Sequence, residues 1–303
     1  MSKYCALRGK ITVRLVAHAL VVLALFSASF LGTTDVSANH PVFVEGNCLN
    51  PPAGNSIVIT PGTCGDYDGD GRIGVEEDND NDRVFGTLSA ALTTNTMTGA
   101  NQNGRVVIVT SGVFAEVVSI TAANGNVTLE AAPGVEADVD AVLQGDPNSG
   151  ARQNAPGIIV NAPKDRFVTI RNIVSRNWTE GIRVSGDSNV LIDNCRIENN
   201  INFGIRIQGN AKVKIDNTTV AATGFRVSAA GDFPRVNRPN PGNGIDFEGS
   251  SSGQVCKSCV TGSFGEGIDG KTRRSGHHHS AAVDLEDVCL FNNNRGGRDN
   301  KDW

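Results

Sequence analysis

Five glycine-led tetrads recur along one stretch of the chain: Gly157-Ile-Ile-Val160, Gly181-Ile-Arg-Val184, Gly204-Ile-Arg-Ile207, Gly244-Ile-Asp-Phe247 and Gly267-Ile-Asp-Gly270. Their spacings are 24, 23, 40 and 23 residues, so the third step is one repeat plus a 17-residue insertion, placed in the Pro- and Arg-bearing stretch 227–241. A fixed period of this length marks a chain that stacks similar units on one another. A second apolar alternation follows each tetrad, as in Phe167-Val-Thr-Ile170, Asn189-Val-Leu-Ile192 and Lys212-Val-Lys-Ile215. Then come an asparagine (Asn172, Asn194, Asn217) and a third short run such as Cys195-Arg196-Ile197. Three short strands per turn describe a coil whose backbone pairs with the coils above and below at ~4.8 Å, so that like residues form columns. Ile182, Ile205, Ile245 and Ile268 are expected to stack inside as one aliphatic ladder. The asparagines are expected to stack at a bend, where Asn tolerates the left-handed conformation. Composition agrees: 35 Gly, 5% aromatics and 39% hydrophobic residues suit many corners around a narrow interior, and disfavour a helical globule.

On the N-terminal side, Asp82 is expected to cap a short amphipathic helix carrying Phe85, Leu88 and Leu92, which covers the open end of the stack. The pattern Phe85-Gly-Thr-Leu-Ser-Ala-Ala-Leu92, Val106-Val-Ile-Val109, Ser111-Gly112 and Phe114-Ala-Glu-Val-Val118 resembles the start of the right-handed parallel β-helix proteins of the pectin-lyase-like superfamily. The resemblance runs from about Asp82 to Asn294 and implies an all-β fold, a right-handed parallel β-helix solenoid with a short N-terminal capping helix. It implies a scaffold more than an activity, because that superfamily includes polysaccharide lyases, glycoside hydrolases, carbohydrate esterases, tail-spike proteins and adhesins.

Lys3, Arg8, Lys10 and Arg14 precede an apolar run from Leu15 to Leu31, and Val36-Ser37-Ala38 supplies small residues suited to cleavage. Residues 1–38 therefore read as a secretory signal, with an uncleaved membrane anchor as the alternative because the apolar run approaches the length of a membrane span; the protein reads as secreted or cell-surface, and no membrane contact is expected after cleavage. Removal of four basic residues and Asp35 takes the formal charge from −5 to −8. That acidity argues against nucleic acid as a partner. Six cysteines then enter a compartment where disulfides persist: Cys48, Cys64, Cys195, Cys256, Cys259 and Cys289. A Cys48–Cys64 bridge is expected, while the pairing of the other four is open, and Cys256-Lys-Ser-Cys259 lacks the second pair that a zinc site needs.

Within the segment 39–81, the run Asp66-Tyr-Asp68-Gly-Asp70-Gly71-Arg72-Ile73-Gly74-Val-Glu-Glu77 lays onto an EF-hand loop. Asp66, Asp68 and Asp70 fall at ligand positions 1, 3 and 5, Gly71 at the sharp turn, Arg72 at the backbone-carbonyl position and Glu77 at the bidentate position 12. Hard oxygen ligands so spaced can wrap one Ca²⁺. The loop (66–77) is similar to the calcium loops of secreted dockerin-type modules, but no apolar helix precedes Asp66, which favours a structural single site. The β-helix is taken as 82–303.

The residue two places after each repeat glycine is expected to face outward, giving the column Ile159, Arg183, Arg206, Asp246 and Asp269, with Glu248 beside it. Arg206, Asp246, Asp269 and Glu248 are the candidate catalytic residues. The resemblance to calcium-dependent polysaccharide lyases implies that Asp246 and Asp269 hold Ca²⁺ against a uronate while Arg206 or Arg183 takes a proton. For a neutral glycan, two of the three acids would serve as acid and base. Cross-strand charge pairing accounts for the same residues without catalysis. The cluster His277-His278-His279, and Arg226, Arg235, Arg238, Arg273 and Arg274, fall in or beside insertions, and Trp178 at a coil corner either stacks on a sugar or packs. The expected role is binding or processing of extracellular polysaccharide, as a lyase or glycoside hydrolase if an enzyme. The alternative is a non-catalytic adhesive or structural solenoid.

Overall fold

The computed structural model describes residues 41–46, 48, 57–58, 64–66, 70–73, 84–94, 97–99, 103–140, 155–224, 242–271 and 281–293, all within the compact unit His40–Trp303. The signal segment 1–38, Asp82, the histidine cluster and the five insertion arginines lie outside the described residues.

Almost every described strand belongs to one of three parallel sheets, and each turn of the chain contributes one strand to each sheet. Sheet one holds Val118–Thr121 and then the strands of the five tetrads, Pro156–Asn161, Glu180–Val184, Phe203–Ile207, Asn243–Glu248 and Ile268–Lys271. Sheet two runs through Asn126–Ala131, Phe167–Arg171, Asn189–Asp193, Lys212–Asp216, Ser252–Cys256 and Ala282–Glu286. Sheet three carries the short strands, among them Ile173–Arg176, Arg196–Glu198, Thr219–Ala221 and Cys259–Thr261.

The register is the one the glycine spacing predicts. Ile158, Ile182, Ile205, Ile245 and Ile268 pair in succession, and the first four are wholly buried. Ile170, Ile192 and Ile215 stack likewise in sheet two, so the interior is a set of aliphatic columns, each methylene contributing about 0.8 kcal/mol by leaving water.

All three corners use left-handed backbone. Asn172, Asn194 and Asn217 have φ of 58°, 51° and 47°, and the column continues with Lys257 and Asp287. Asn194 Nδ2 donates to Asn172 Oδ1 at 2.8 Å, whereas Asn217 turns to Asp193 Oδ1 at 3.3 Å. A second column, Asn177, Asn199, Ala222, Gly262 and Asn292, turns the chain from sheet three into sheet one, and Gly186, Gly209 and Gly249 turn it from sheet one into sheet two.

The repeat glycines themselves do a different job. A Cβ on Gly204 would lie 2.4 Å from Val220 Cγ1 and 2.5 Å from the Gly244 carbonyl oxygen, and one on Gly244 would meet Val260 and Gly267 in the same way. They are glycine because successive coils close tightly there. Gly224 and Gly242 also abut, a Cβ on either falling within 2.9 Å of the other's Cα. The two described ends of the insertion thus meet, and the repeat resumes at Asn243.

At the N-terminal end the helix α1 is Leu88–Leu92, shorter than expected and capped differently. Thr87, not Asp82, is the N-cap, its Oγ1 accepting from Ala90 N at 3.2 Å. The Glu116 carboxylate accepts from Leu88 N at 2.7 Å and Ser89 N at 2.9 Å, satisfying two more of the amides that a helix start leaves open. Phe85 is not on the helix but in a short strand, Val84–Phe85, which pairs with Val42–Val44, and that strand in turn pairs with Asn103–Ile108. Residues from the 39–81 segment therefore extend sheet two. Among the described residues no helix is long and apolar enough to cross a membrane.

The expected Cys48–Cys64 disulfide is present. Glu45 lies beside it and accepts from Gly65 N at 2.6 Å, and because both sulfurs are bonded to each other the trio is a covalent staple rather than a metal site. Cys259 bonds Cys289, its register partner in the next coil, so the bridge links two coils instead of closing the Cys256-to-Cys259 interval. Cys195 is a free buried thiol donating to the Asp193 carbonyl, and burial pushes its pKa up to about 12.

Candidate functional site

The outer face of sheet one gathers the acids and arginines singled out by the repeat. Arg183 pairs with Arg206, Arg206 with Asp246, and Asp246 with Asp269, one residue per coil. Parallel stacking copies register from coil to coil, so a fixed offset from the glycine becomes a straight column.

The side chains form one connected chain of polar contacts. Asn243 Nδ2 donates to Asp246 Oδ1 and to Asp269 Oδ2, each at 3.0 Å. Glu266 N donates to Asn243 Oδ1 at 3.0 Å, fixing the amide so that its NH₂ faces the two acids. Since both carboxylate oxygens touch one nitrogen, those two oxygens are at most about 6 Å apart. Asp246 is wholly buried, and Asp269 is 8% exposed.

Arg206 is the register partner of Asp246, and it forms ion pairs with other acids. Its guanidinium spans two other carboxylates, Glu180 at 3.1 Å and Glu248 at 3.0 Å, and lies 4.7 Å above the Phe203 ring. Gln208 Nε2 donates to Glu248 at 2.9 Å. Burial alone would raise the Glu248 pKa. Hydrogen bonding from Gln208, the charge and hydrogen bond of Arg206, and a hydrogen bond shared with Asp246 outweigh it and hold the group below the ordinary glutamate value. Glu180, 2% exposed, also takes Arg183 in a two-pronged contact at 2.6 and 2.9 Å, and those hydrogen bonds raise the Arg183 pKa against the opposing effect of burial.

Sequence reasoning missed Asn243 and Glu180, each of which precedes a repeat glycine. They share one register column with Pro156 and Phe203, so that column carries no common chemistry. The signal available was an acid immediately before Gly181 and three residues from Arg183.

The other two faces carry charge chains of their own. In sheet two Arg105 contacts Glu130, Glu130 contacts Arg171, and Arg171 contacts Asp193 at 2.9 Å. In sheet three Arg176 contacts Asp138 at 2.7 Å and Arg196 contacts Glu136 at 2.8 Å. Sheet one differs in its surplus of acid, with Asp246, Asp269 and Glu248 all within reach of Asn243 or Arg206.

Trp178 is not a sugar platform. It is fully buried at the corner before Gly181, its Nε1 donating to the Val139 carbonyl at 2.8 Å.

Of the loop 66–77, Asp66, Asp70, Gly71, Arg72 and the backbone of Ile73 are described, while Asp68 and Glu77 lie outside the described residues. Gly71 has φ of 81° and donates its N–H to the buried Asp66 carboxylate at 3.1 Å, and Arg72 N donates to Asp70 Oδ1 at 2.7 Å. Arg72–Ile73 then pairs antiparallel with Ile57–Val58. A sharp turn at Gly71 that gathers Asp66 and Asp70 suits an oxygen-coordinated divalent cation.

No curated protein matches the chain. The family described as right handed beta helix region matches residues 86–276. That span covers the helix, the repeat glycines and the Arg183-to-Asp269 column, and it sets the hand of the coil that the three stacked parallel sheets describe: the chain belongs to the right-handed β-helix family.

Proposed function

We propose that the protein is exported and that it binds or processes extracellular polysaccharide on the outer face of sheet one, while residues 66–77 hold a structural Ca²⁺. The observation that carries this reading is the Asn243 bridge between Asp246 and Asp269, set beside the Glu180–Arg206–Glu248 clamp on a rigid sheet. Carboxylates for proton transfer or cation binding, and guanidiniums for acidic sugars, are what glycan chemistry requires. The resemblance to the pectin-lyase-like superfamily adds a scaffold on which polysaccharide lyases and glycoside hydrolases are built.

Within this reading the residues divide by exposure. Arg183 and Arg206 are the outer contacts for sugar hydroxyls or a uronate carboxylate, with side chains 34% and 21% exposed. Asp269 and Glu248 are the acids able to reach a bound chain, and Asp246 sits beneath them as a buried support. Arg206, occupied on two sides by carboxylates, acts as a clamp and not as a proton acceptor. A Ca²⁺ held by Asp246 and Asp269 would neutralise a uronate.

The test is to incubate the secreted protein with uronate-containing and neutral polysaccharides, with and without Ca²⁺, while recording unsaturated-product absorbance and reducing ends. Product, or binding that is lost in the Asp246→Ala, Asp269→Ala double variant, is expected. No product together with unchanged glycan binding in that variant would remove the sheet-one face from consideration. One observation favours a second reading, a non-catalytic surface solenoid: Asp246 is closed to solvent, as a side chain that only pairs coils would be, and charged side chains on the other faces pair across coils in the same way.

The calcium loop makes a separate prediction. Asp66→Ala or Glu77→Ala should weaken calcium binding by at least about tenfold and lower the thermal midpoint in calcium, leaving the far-UV strand signal intact. Wild-type affinity in either variant, measured by calcium titration, overturns the assignment.

A further inference from the structure

The outer face of sheet two, a different side of the solenoid from the acid column, carries a groove of about 390 Å³. One line of register partners forms its length: Phe167, Asn189, Lys212, Ser252 and Ala282. Five successive coils at ~4.8 Å per step give a straight track of about 19 Å along the solenoid axis. Lys214 stands two residues from Lys212 on the same face, and Asp284 closes the far end.

Three features set this groove apart from ordinary surface. Phe167 is 51% exposed at one end, an aromatic left uncovered on a rigid strand in a chain with 5% aromatics. Its backbone is fixed, with Phe167 N donating to Asn126 Oδ1 at 2.7 Å. Elsewhere on this face the arginines are consumed by acids of neighbouring coils, Arg105 by Glu130 and Arg171 by Asp193. Lys212, by contrast, is exposed and makes no ion pair among the described residues, and Lys214 reaches only Asp216, at 3.1 Å, and stays 43% exposed.

We propose that this groove is a second glycan site, separate from the sheet-one face, which takes an acidic oligosaccharide lying along the solenoid axis. Phe167 offers its ring to the apolar face of a sugar, and Lys212 and Lys214 meet carboxylates of the ligand. A linear polymer fits a straight track, and a rigid sheet loses little entropy on binding it. Lys214 is shared with Asp216 and Asp284 sits at the far end, so the complementarity to an acidic ligand centres on Lys212, whose charge no acid among the described residues takes up. The proposal rests on the reading that the protein engages polysaccharide, and it assigns that engagement an anchoring site away from the acids.

Binding of a hexameric oligouronate, the matching neutral hexasaccharide and a short single-stranded oligonucleotide, measured by calorimetry at low and high salt, tests it. Wild-type protein should bind the oligouronate, more weakly as salt rises. Lys212→Gln with Lys214→Gln should raise Kd at least about tenfold and flatten that salt dependence, and Phe167→Ala should raise it by about tenfold, with thermal midpoints unchanged because all three side chains are exposed. The Asp246→Ala, Asp269→Ala variant separates the two readings. Oligouronate binding that survives the acid substitutions and is lost in the lysine pair supports the groove. Binding lost with the acids and unaffected by the lysines and Phe167 overturns the groove alone, and failure of every glycan to bind overturns both. Preference for the oligonucleotide over the oligouronate also overturns it, in favour of a nucleic-acid track.

Discussion

Replacing Trp178 by alanine is expected to cost about 3–5 kcal/mol, a large share of the stability of a domain this size. The indole is the largest fully buried side chain among the described residues. It fills the corner between sheet three and sheet one, and the chain has been shaped around it. A Cβ on Gly157 would stand 2.4 Å from the indole Cδ1, so the preceding coil has no side chain there. Trp178 Nε1 donates to the Val139 carbonyl, and Trp178 N donates to Asn200 Oδ1 at 3.0 Å. Alanine keeps the backbone bond, abandons the carbonyl in a dry site and opens a cavity that a stacked solenoid cannot collapse, because each coil is held at ladder spacing by its neighbours. Trp178→Phe should recover most of the packing and none of the carbonyl bond, leaving a loss of about 1–2 kcal/mol. Denaturant unfolding of the two variants measures both. A loss below about 1 kcal/mol for alanine would mean the corner relaxes, contrary to the close packing around Gly157.

How far such details could be read from sequence depends on whether the repeat carries them. The inner isoleucine column, the asparagine corner and the Arg206, Asp246 and Asp269 line were legible because each is a fixed offset from a glycine, and parallel stacking preserves offsets. The Cys259–Cys289 bridge was legible in principle by the same rule, since both cysteines occupy one register position, but that position sits in a three-residue strand with no apolar alternation to anchor it. What the repeat does not carry was missed. Glu116 caps α1 from 28 residues away in the sequence, a relation set by how the coil returns and not by local spacing. Val42–Val44 is too short to show a period, and its place in sheet two comes entirely from pairing with Asn103–Ile108.

Orientation at corners was the other blind spot. A tryptophan after Asn177 points inward because Asn177, at φ of 65°, turns the chain just before it, and no residue-type pattern announces that direction. The glycines were read as strand starters, but their negative φ and crowded Cβ positions show that close approach of coils selects them, a constraint visible only once the coils are stacked.

Glu180 is where the site and the stack meet, and Glu180→Gln is expected to loosen both. The carboxylate holds Arg183 and Arg206 from successive coils, and an amide in its place would set its NH₂ against guanidinium N–H groups. Removing one partner of a buried ion pair costs about 3–5 kcal/mol when the remaining charge is trapped, and here the partly exposed arginines can turn to water, which reduces the loss to about 2 kcal/mol. Arg206 then depends on Glu248 alone, and that shifts the behaviour in acid. Glu248 is held below the ordinary value of 4.5, so its contribution is complete above that pH and is lost as pH falls through the depressed value. With Glu180 replaced, Glu248 is the carboxylate left to Arg206, so the thermal midpoint of the Glu180→Gln variant should fall as pH drops from about 4.5 downward. In the Glu180→Gln, Glu248→Gln double variant the part of that fall that comes from Glu248 should vanish, while the loss of stability at neutral pH should exceed that of either single change. Oligouronate binding read alongside separates clamp from scaffold: if Arg183 and Arg206 contact glycan, Glu180→Gln weakens binding several-fold at neutral pH and 25 °C, where the variant is still folded. A Glu180→Gln variant that loses stability yet binds as the wild type does would leave Glu180 as a pairing device between coils and nothing more.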